Sequence, residues 1–248
     1  MCSVCLSRRA VLAAPAILPF APSRAPAPAE APIEPRMRLV ALTPGRLTVA
    51  LTLDACPGAF DERIAAALIE SRIPATIFAS GLWLQRNPAG LTLLLSHPDL
   101  FDIENHGARH IPPVLGQRTI YGIPVAGDLD AIRGEVTAGA DAVDAATGTA
   151  PRWYRAATGW YSPSATVAIE ALGFGIAGYS LNADAGASLP PAGVSARIAR
   201  ATDGDVIVAH INQPKRASGA GVVAGVLALQ RRGATFVRLD QQAGLARA

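Results

Sequence analysis

The chain has 248 residues, of which half are apolar, with 22 basic and 19 acidic side chains. Its formal net charge of +3 comes from the N-terminal segment, where Arg8, Arg9 and Arg24 stand without any acidic residue. A chain beginning near Pro28 is therefore neutral, and its basic residues form no stripe. This balance argues against a protein that binds nucleic acid or an anionic membrane by charge.

The first 27 residues resemble a twin-arginine export signal. Arg8 and Arg9 precede an apolar run over 10–20 that is too short to span a membrane, and small residues around Ala25 to Ala27 suit cleavage. A buried or disordered N-terminus is the alternative. No stop-transfer pattern follows, so we expect a mature protein without a transmembrane segment, periplasmic or secreted.

We predict an export signal at 1–27, a Pro/Ala-rich lead-in at 28–46 and a single domain at 47–248. About 220 residues are enough for one sizeable core. Cys2 and Cys5 leave with the signal, so Cys56 is the only thiol of the exported protein and no intrachain disulfide can form. The sequence does not indicate an oligomeric state.

Short apolar runs alternate with segments of helical periodicity, a pattern typical of βα units. The predicted strands are 47–54, 75–79, 100–104, 153–156, 175–181, 206–210 and 235–239. The predicted helices are 61–71, 82–96, 128–147, 164–172, 194–201 and 218–232. About seven strands joined by right-handed crossovers predict an α/β protein, either a (β/α) barrel or a doubly wound open sheet.

Polar side chains gather where the predicted strands end, which favours the barrel. They are Asp54, Asn105, His106, Arg155, Asn182, Asp184 and His210. In α/β barrels the carboxyl ends of the strands carry the site. We therefore expect several strands to direct side chains to one mouth.

Asp54 and Cys56 lie in the stretch Leu-Thr-Leu-Asp-Ala-Cys-Pro-Gly, which ends the first predicted strand of the domain. Asp54 could serve as a base, a metal ligand or a strand cap. A cysteine near histidines can be a nucleophile, but no Cys-His-Asn signature surrounds Cys56. A small buried residue at a tight corner is the alternative.

Three of the four histidines occupy positions that suit chemistry. On a helical turn, the spacing of His106 and His110 would place both imidazoles on one face, able to bind a Zn²⁺-like ion. Two packed or solvated histidines are the alternative. His210 ends an apolar strand, where it suits a general acid or base, or is simply a hydrogen-bonded strand terminus.

Arg155 stands in a strand too apolar to accept a guanidinium without a carboxylate partner. Pairing with Asp54 would keep that carboxylate ionised; an arginine reaching the barrel rim is the alternative. Trp160 and Tyr161 follow directly and could flank a sugar.

These residues, in order, resemble the motifs of the polysaccharide deacetylase family, which includes chitin and peptidoglycan N-acetylglucosamine deacetylases. The resemblance covers residues 47–239. The family's T-F-D-D-G-P matches Thr52 to Pro57 with Ala55 in place of the second Asp. Its H-S/T-x-x-H matches residues 106–110, and its R-x-P-x-G matches residues 155–159 without the Pro. The acidic motif and the closing His match Asp184 and His210.

The resemblance implies a distorted (β/α) barrel and a hydrolase dependent on one divalent metal, most typically zinc. Asp54 would be the base, Arg155 would hold it in place, and His210 with Asp184 would protonate the leaving group. His106 and His110 would bind the metal. The partner would be an N-acetylated glycan or oligosaccharide.

Ala55 occupies the position where the family has its carboxylate ligand, so the third ligand is open. Asp54 could turn to the ion, Cys56 thiolate could bind it, or Asp61 could reach it. Asp61 equally suits the N-cap of the following helix. A site without metal is a further alternative.

Three functions are consistent with these motifs. The first is an exported metal-dependent hydrolase that removes N-acetyl or O-acetyl groups from a carbohydrate polymer or oligosaccharide. The second is a catalytically inactive, carbohydrate-binding relative, which Ala55 favours. The third is a hydrolase of another amide or ester on the same scaffold.

Overall fold

A curled parallel sheet lies at the centre of the protein. The structure, a computed structural model, describes residues 30–40 and 45–241, and for residues 246 and 247 the backbone alone. The predicted export signal at 1–27 lies outside the described residues. In chain order the strands are β1 (Met37–Arg38), β2 (Thr48–Ala55), β3 (Ala75–Ala79), β4 (Phe101–Asn105), β5 (Thr119–Ile120), β6 (Ile123–Pro124), β7 (Trp153–Tyr154), β8 (Gly175–Ile176), β9 (Leu181–Asn182), β10 (Val206–His210), β11 (Thr235–Val237) and β12 (Ala246–Arg247).

Helices connect the strands and cover the outer face of the sheet. They are α1 (Glu62–Glu70), α2 (Gly81–Arg86), α3 (Pro88–Leu95), α4 (Leu129–Thr147), α5 (Pro163–Ala171), α6 (Pro191–Ala199) and α7 (Ser218–Arg231), with short 3₁₀ turns at Ala157–Gly159 and Leu239–Gln241. Within residues 30–40 and 45–241, no helix has the length and apolarity needed to cross a membrane.

The strand order is that of a barrel that does not fully close. Seven strands follow one path, β8-β7-β4-β3-β2-β10-β9, and β11 pairs with the start of β2. Every pairing in this sheet is parallel, so the carboxyl ends of the strands share one rim. The predicted α/β class, the distorted barrel of about seven strands and the single domain are confirmed.

The central strand β2 directs successive side chains to opposite faces of the sheet. All eight of its residues are buried, as expected for a parallel strand covered on both sides. Leu51 and Leu53 pack in the cluster shared with the helices, whereas Ala50 packs with Phe78 in a separate inner cluster. Asp54 follows the alternation of Ala50, so it lies on the inner side near the rim.

Part of the predicted lead-in belongs to the folded domain. Residues 30–40 run beside the gap between β8 and β9, where the Met37 N–H donates to the Tyr179 carbonyl at 3.4 Å. Arg36 Nη2 donates to the Ser180 carbonyl at 2.7 Å, and Met37 is buried in the inner cluster. The domain therefore begins before the predicted boundary at residue 47.

Two elements that were each predicted as one unit are divided in the structure, so these two predictions are wrong. The helix predicted over 82–96 is two helices, α2 and α3, because Pro88 offers no N–H and Asn87 leaves helical geometry at φ −126° and ψ 51°. The strand predicted over 175–181 is interrupted between β8 and β9. The carbonyl groups of Ala177 and Gly178 in this interruption accept hydrogen bonds from Arg155.

Helix α4 packs closely against the end of β4. A Cβ atom at Gly139 would lie 2.6 Å from the Gly107 carbonyl carbon, and it would also press on the Asn105 side chain. By contrast, a Cβ atom at Gly134, which is exposed on the same helix, would meet nothing within 4 Å.

Alanine substitution at these two glycines should have opposite effects. We expect Gly139→Ala to lower the free energy of unfolding by about 1–3 kcal/mol, because it overpacks this contact. Gly134→Ala should raise the free energy of unfolding by roughly 0.5–1 kcal/mol through helix propensity. Urea unfolding with unchanged m-values measures both effects. A Gly139→Ala variant at least as stable as Gly134→Ala would contradict the packing described here.

Candidate active site

A cavity of about 680 Å³ opens at the carboxyl ends of the strands. Six of the side chains singled out in the sequence line it: Asp54, Cys56, His106, His110, Asn182 and His210. They come from the ends of β2, β4, β9 and β10 or from the turns that follow. The structure thus brings together residues that are as much as about 150 positions apart in the chain.

Asp54 pairs with Arg155 behind the cavity. Arg155 Nη1 lies 3.0 Å from Asp54 Oδ1. Burial opposes ionisation of Asp54, but the charges of Arg155, His106 and His210 outweigh it, so the pKa of Asp54 is lowered below its ordinary value. Asp54 is therefore a carboxylate at neutral pH.

Arg155 itself is buried at 1% exposure, so the alternative of an arginine at the barrel rim is wrong. Nη1 also donates to Thr52 Oγ1 at 2.6 Å, while Nη2 and Nε donate to the carbonyl groups of Gly178 and Ala177 at 3.0 and 3.2 Å. The guanidinium carbon lies 4.2 Å from the centre of the Phe78 ring. These contacts satisfy the charge and fix its position.

His106 and His110 meet across a loop. The expectation of a helical turn is wrong, because residues 106–110 are not helical and both Gly107 (φ 81°) and His110 (φ 65°) have left-handed backbones. The ring centroids nevertheless lie 4.8 Å apart. The spacing predicted the proximity of the two histidines but not the backbone that produces it.

The two imidazoles are fixed differently. His106 Nδ1 lies 2.8 Å from the Arg155 carbonyl oxygen; since a carbonyl only accepts, Nδ1 carries a proton and Nε2 points elsewhere. His106 Nε2 lies 3.4 Å from Cys56 Sγ and 4.0 Å from Asp54 Oδ2. His110 Nε2 is buried and has no hydrogen-bond partner among the described residues.

Cys56 faces a strongly polar corner of the cavity. Burial alone raises the pKa of its thiol, but the charge and hydrogen bond of His106, with smaller contributions from the nearby His110 and His210, lower that pKa well below its ordinary value. In return, burial opposes protonation of His106, while Asp54 and Cys56 raise its pKa. Cys56 is half-buried and lines the cavity, so the expectation of a small buried residue at a tight corner is wrong.

His210 is bound by Asp184 at two points. Its Nδ1 lies 2.8 Å from Asp184 Oδ1, and its backbone N–H donates to Oδ2 at 2.8 Å. Burial favours the neutral imidazole, but the charge and hydrogen bond of the fully buried Asp184 raise the pKa of His210 well above its ordinary value. Nδ1 is occupied by Asp184, which leaves Nε2 for other partners.

Five predicted residues are not part of the cavity lining: Arg155 and Asp184, which bind the lining residues Asp54 and His210, and Asp61, Tyr161 and Trp160. Asp61 caps α1 and binds the Arg63 guanidinium at 2.6 Å, so its alternative role as a metal ligand is wrong. Tyr161 is fully buried, with its hydroxyl accepting the Ala156 N–H at 2.7 Å, so the expectation that it flanks a sugar is wrong. Trp160 does not line the cavity either, but its Nε1 donates to the hydroxyl of Tyr121, which does, at 3.3 Å.

Two carboxylates near the site were missed in the sequence. Glu135 on α4 is buried and accepts the backbone N–H groups of Arg109 and Ile111 at 2.7 and 3.2 Å, which holds the loop that carries His110. The sequence did carry a signal for Glu135, because it is a carboxylate on the apolar face of a predicted helix. Glu34 comes from the lead-in, lines the cavity and accepts a hydrogen bond from the Tyr179 hydroxyl; no sequence signal marked it.

Comparison with known proteins agrees with this geometry. Residues 41–177, more than half of the chain, match the family model described as polysaccharide deacetylase. The chain belongs to the polysaccharide deacetylase family. No curated protein sequence matches it.

Solved structures with the same fold include polysaccharide deacetylases and pseudoenzymes. The Bc1960 peptidoglycan N-acetylglucosamine deacetylase is 19% identical, with a TM-score of 0.66 over 84% of this chain and 91% of that one. The peptidoglycan deacetylase PdaC from Bacillus subtilis is 20% identical, with a TM-score of 0.62 over 81% and 91%. BA3943 from Bacillus anthracis, described as a CE4 family pseudoenzyme, is 18% identical, with a TM-score of 0.62 over 81% of this chain and 66% of that one.

Polysaccharide deacetylases use a divalent metal, and the donor atoms present here fit one. A buried imidazole nitrogen without a partner is costly, so the orphaned His110 Nε2 marks a position where a ligand is needed. The ligand atoms of Cys56, His106 and His110 all lie within 4.8 Å of one another. Imidazole and thiolate are donors that suit Zn²⁺-like ions.

Asp184→Asn should change the titration of His210. Because the folded-state pKa of His210 is raised, its ion pair with Asp184 stabilises the fold fully below about pH 6.5 and less as pH rises through the folded-state value. In metal-free protein, we expect Asp184→Asn to bring the pKa of His210 down towards about 6.5, measured from its ring resonances by NMR. An unchanged His210 titration would show that Asp184 does not hold the proton there.

Proposed function

We propose that the protein is an exported, metal-dependent hydrolase that removes N-acetyl or O-acetyl groups from a carbohydrate polymer or oligosaccharide. One observation carries the proposal: a carboxylate held ionised by Arg155 and an imidazole held protonated by Asp184 face the same cavity. Two titratable groups whose pKa values are pushed in opposite directions supply a base and an acid at one pH. The twin-arginine-type signal supports export.

Asp54 is the base in this proposal. Its Oδ1 accepts from Arg155, so Oδ2 is the oxygen that can take a proton from the attacking water. Arg155 prevents rotation of the carboxylate and keeps it ionised before the reaction. When bound by His106 and His110, a divalent ion supplies Lewis-acid polarisation of the acetyl carbonyl and of water.

His210 is the acid. With Nδ1 occupied by Asp184, its Nε2 donates a proton to the departing sugar nitrogen or oxygen as the bond to the acetyl carbon breaks. The products are acetate and the free amine or hydroxyl. In this proposal a backbone N–H of the loop that follows Arg155 would stabilise the developing oxyanion. Thr158 of that loop lines the cavity with φ 72°, a costly conformation for a β-branched residue.

A catalytically inactive, carbohydrate-binding protein is the second candidate. The observation that favours it is Ala55, which provides no carboxylate where the family pattern has its metal-binding Asp. Under that alternative the cavity would bind a glycan without cleaving it. Acetate release by the metal-loaded protein separates the two functions, and a panel including other acetylated amides and esters also tests the third function.

Replacing the proposed base or acid should abolish turnover. We expect Asp54→Asn and His210→Ala each to lower acetate release from chitooligosaccharides or peptidoglycan fragments by about 10²-fold or more, the usual contribution of a general base or acid. Asp61→Asn is the matched control, because Asp61 is a buried aspartate outside the cavity and asparagine also caps helices.

Wild-type rates in both Asp54→Asn and His210→Ala would exclude this mechanism. A metal-loaded wild-type protein that binds the glycans but releases no acetate would favour the inactive relative.

A further inference from the structure

We propose that the Cys56 thiolate is the third protein ligand of the metal, together with His106 and His110, and that Asp54 is thereby left free to act as the base. This inference rests on the proposed function, because both require the same metal. The inference adds that sulfur replaces the carboxylate ligand of the family pattern.

The distances between donor atoms already suit a shared ion. Cys56 Sγ lies 3.4 Å from His106 Nε2. In a tetrahedral zinc site with the usual bond lengths, sulfur and nitrogen ligands stand about 3.6 Å apart. The three donor atoms of Cys56, His106 and His110 lie within 4.8 Å of one another, a set that one ion can draw together.

An independent observation at His110 points to a missing partner. Its Nε2 is buried, and no described residue bonds it. His106 Nε2 faces Cys56 Sγ, because the opposite ring nitrogen is used by the Arg155 carbonyl, the usual arrangement behind a metal-bound histidine. Cys56 is therefore accompanied by two imidazole nitrogens that can bind the same ion.

Position 55 cannot supply the ligand, but position 56 can. Ala55 is fully buried among apolar side chains and does not line the cavity. Since side chains alternate along a strand, the next residue returns to the inner side. Cys56 does line the cavity, so its sulfur stands where a carboxylate from residue 55 would have to reach.

The other two candidates already have partners. Asp61 caps α1 and binds Arg63. Asp54 has one oxygen on Arg155, and the other is 4.0 Å from His106 Nε2, farther than Cys56 Sγ. Apart from Glu34, which accepts a hydrogen bond from Tyr179, Asp54 is the one carboxylate among the described residues that lines the cavity, so using it as a ligand would leave no base beside the histidines.

A thiolate ligand changes which ions the site prefers. Sulfur favours Zn²⁺ and Co²⁺ over the harder Mg²⁺ and Mn²⁺, which prefer oxygen. We therefore expect tight retention of Zn²⁺ and weak binding of Mg²⁺ and Mn²⁺.

Cobalt substitution reports the ligand directly. Chelator-treated protein titrated with Co²⁺ should bind one ion per chain and develop sulfur-to-cobalt charge-transfer absorption in the near ultraviolet. The band should be absent in Cys56→Ser and Cys56→Asp. It should survive in Cys2→Ser/Cys5→Ser, the matched control that removes the other two thiols of the chain.

Affinity and thiol reactivity give two further measurements. Cys56→Ser should weaken Zn²⁺ binding by at least about tenfold, because even the outer partners of metal ligands contribute that much. Cys56→Asp should recover binding of Mn²⁺ relative to Zn²⁺. In the wild-type chain, Zn²⁺ should slow the alkylation of Cys56 by iodoacetamide, and mass spectrometry measures the alkylation rate. This measurement uses the wild-type chain alone, so it does not depend on the folding of a variant.

Stoichiometric Co²⁺ binding without a charge-transfer band, or alkylation of Cys56 at the same rate with and without Zn²⁺, would overturn the proposal. If acetate release then persists, the proposed function stands and only the sulfur ligand is rejected. A band without acetate release would support the thiolate ligand and reject the deacetylase. Activity that resists the chelator but is lost on alkylation of Cys56 would overturn both and indicate a thiol nucleophile.

Discussion

The buried guanidinium of Arg155 is the contact on which the site depends. It donates to Asp54 and Thr52 on β2 and to the carbonyl groups of Ala177 and Gly178 beyond β8, so it joins opposite parts of the rim. The same residue fixes His106 through its backbone carbonyl. One residue thus holds the carboxylate ionised and sets which nitrogen of the neighbouring imidazole faces the cavity.

The incomplete barrel also follows from this contact. Carbonyl groups that would continue β8 towards β9 are turned to Arg155, and the strand path ends on either side of them. Residues of the lead-in lie along this gap and donate to backbone groups there, including Tyr179 and Ser180. The lead-in therefore contributes Glu34 to the cavity wall, where it accepts a hydrogen bond from Tyr179, the residue directly after the carbonyl groups that bind Arg155.

Periodicity predicted most strands and helices because hydrophobic alternation directly reports burial. The strands at 75–79 and 206–210 have the predicted bounds. The misses have local causes that periodicity does not report: an Asn-Pro step breaks the helix around residue 87, and bonds to a buried arginine break a strand. Tyr161 was misread because an aromatic next to a site motif has the same sequence appearance whether it packs inward or faces the cavity.

Within the site, the sequence identified the chemistry-bearing residues but not how they are divided between tasks. Proximity of Asp54 and His210 follows from parallel strands that share a rim, whereas the choice of a third ligand depends on which way one residue after β2 turns. That orientation is a property of the folded corner and not of residue type, so the sequence placed Asp54 first as the third ligand and left Cys56 and Asp61 open.

A Cys56 thiolate in place of the family's carboxylate ligand preserves the charge of the site. Two neutral imidazoles with one thiolate carry the same formal charge as two imidazoles with one carboxylate, and Asp54 with Arg155 forms a neutral pair beside them. Exchanging oxygen for sulfur therefore changes the softness of the ligand set and its preferred ion without adding a charge to the cavity. Ala55 then does not by itself imply a lost metal site, because the negative ligand is retained one residue further along the chain.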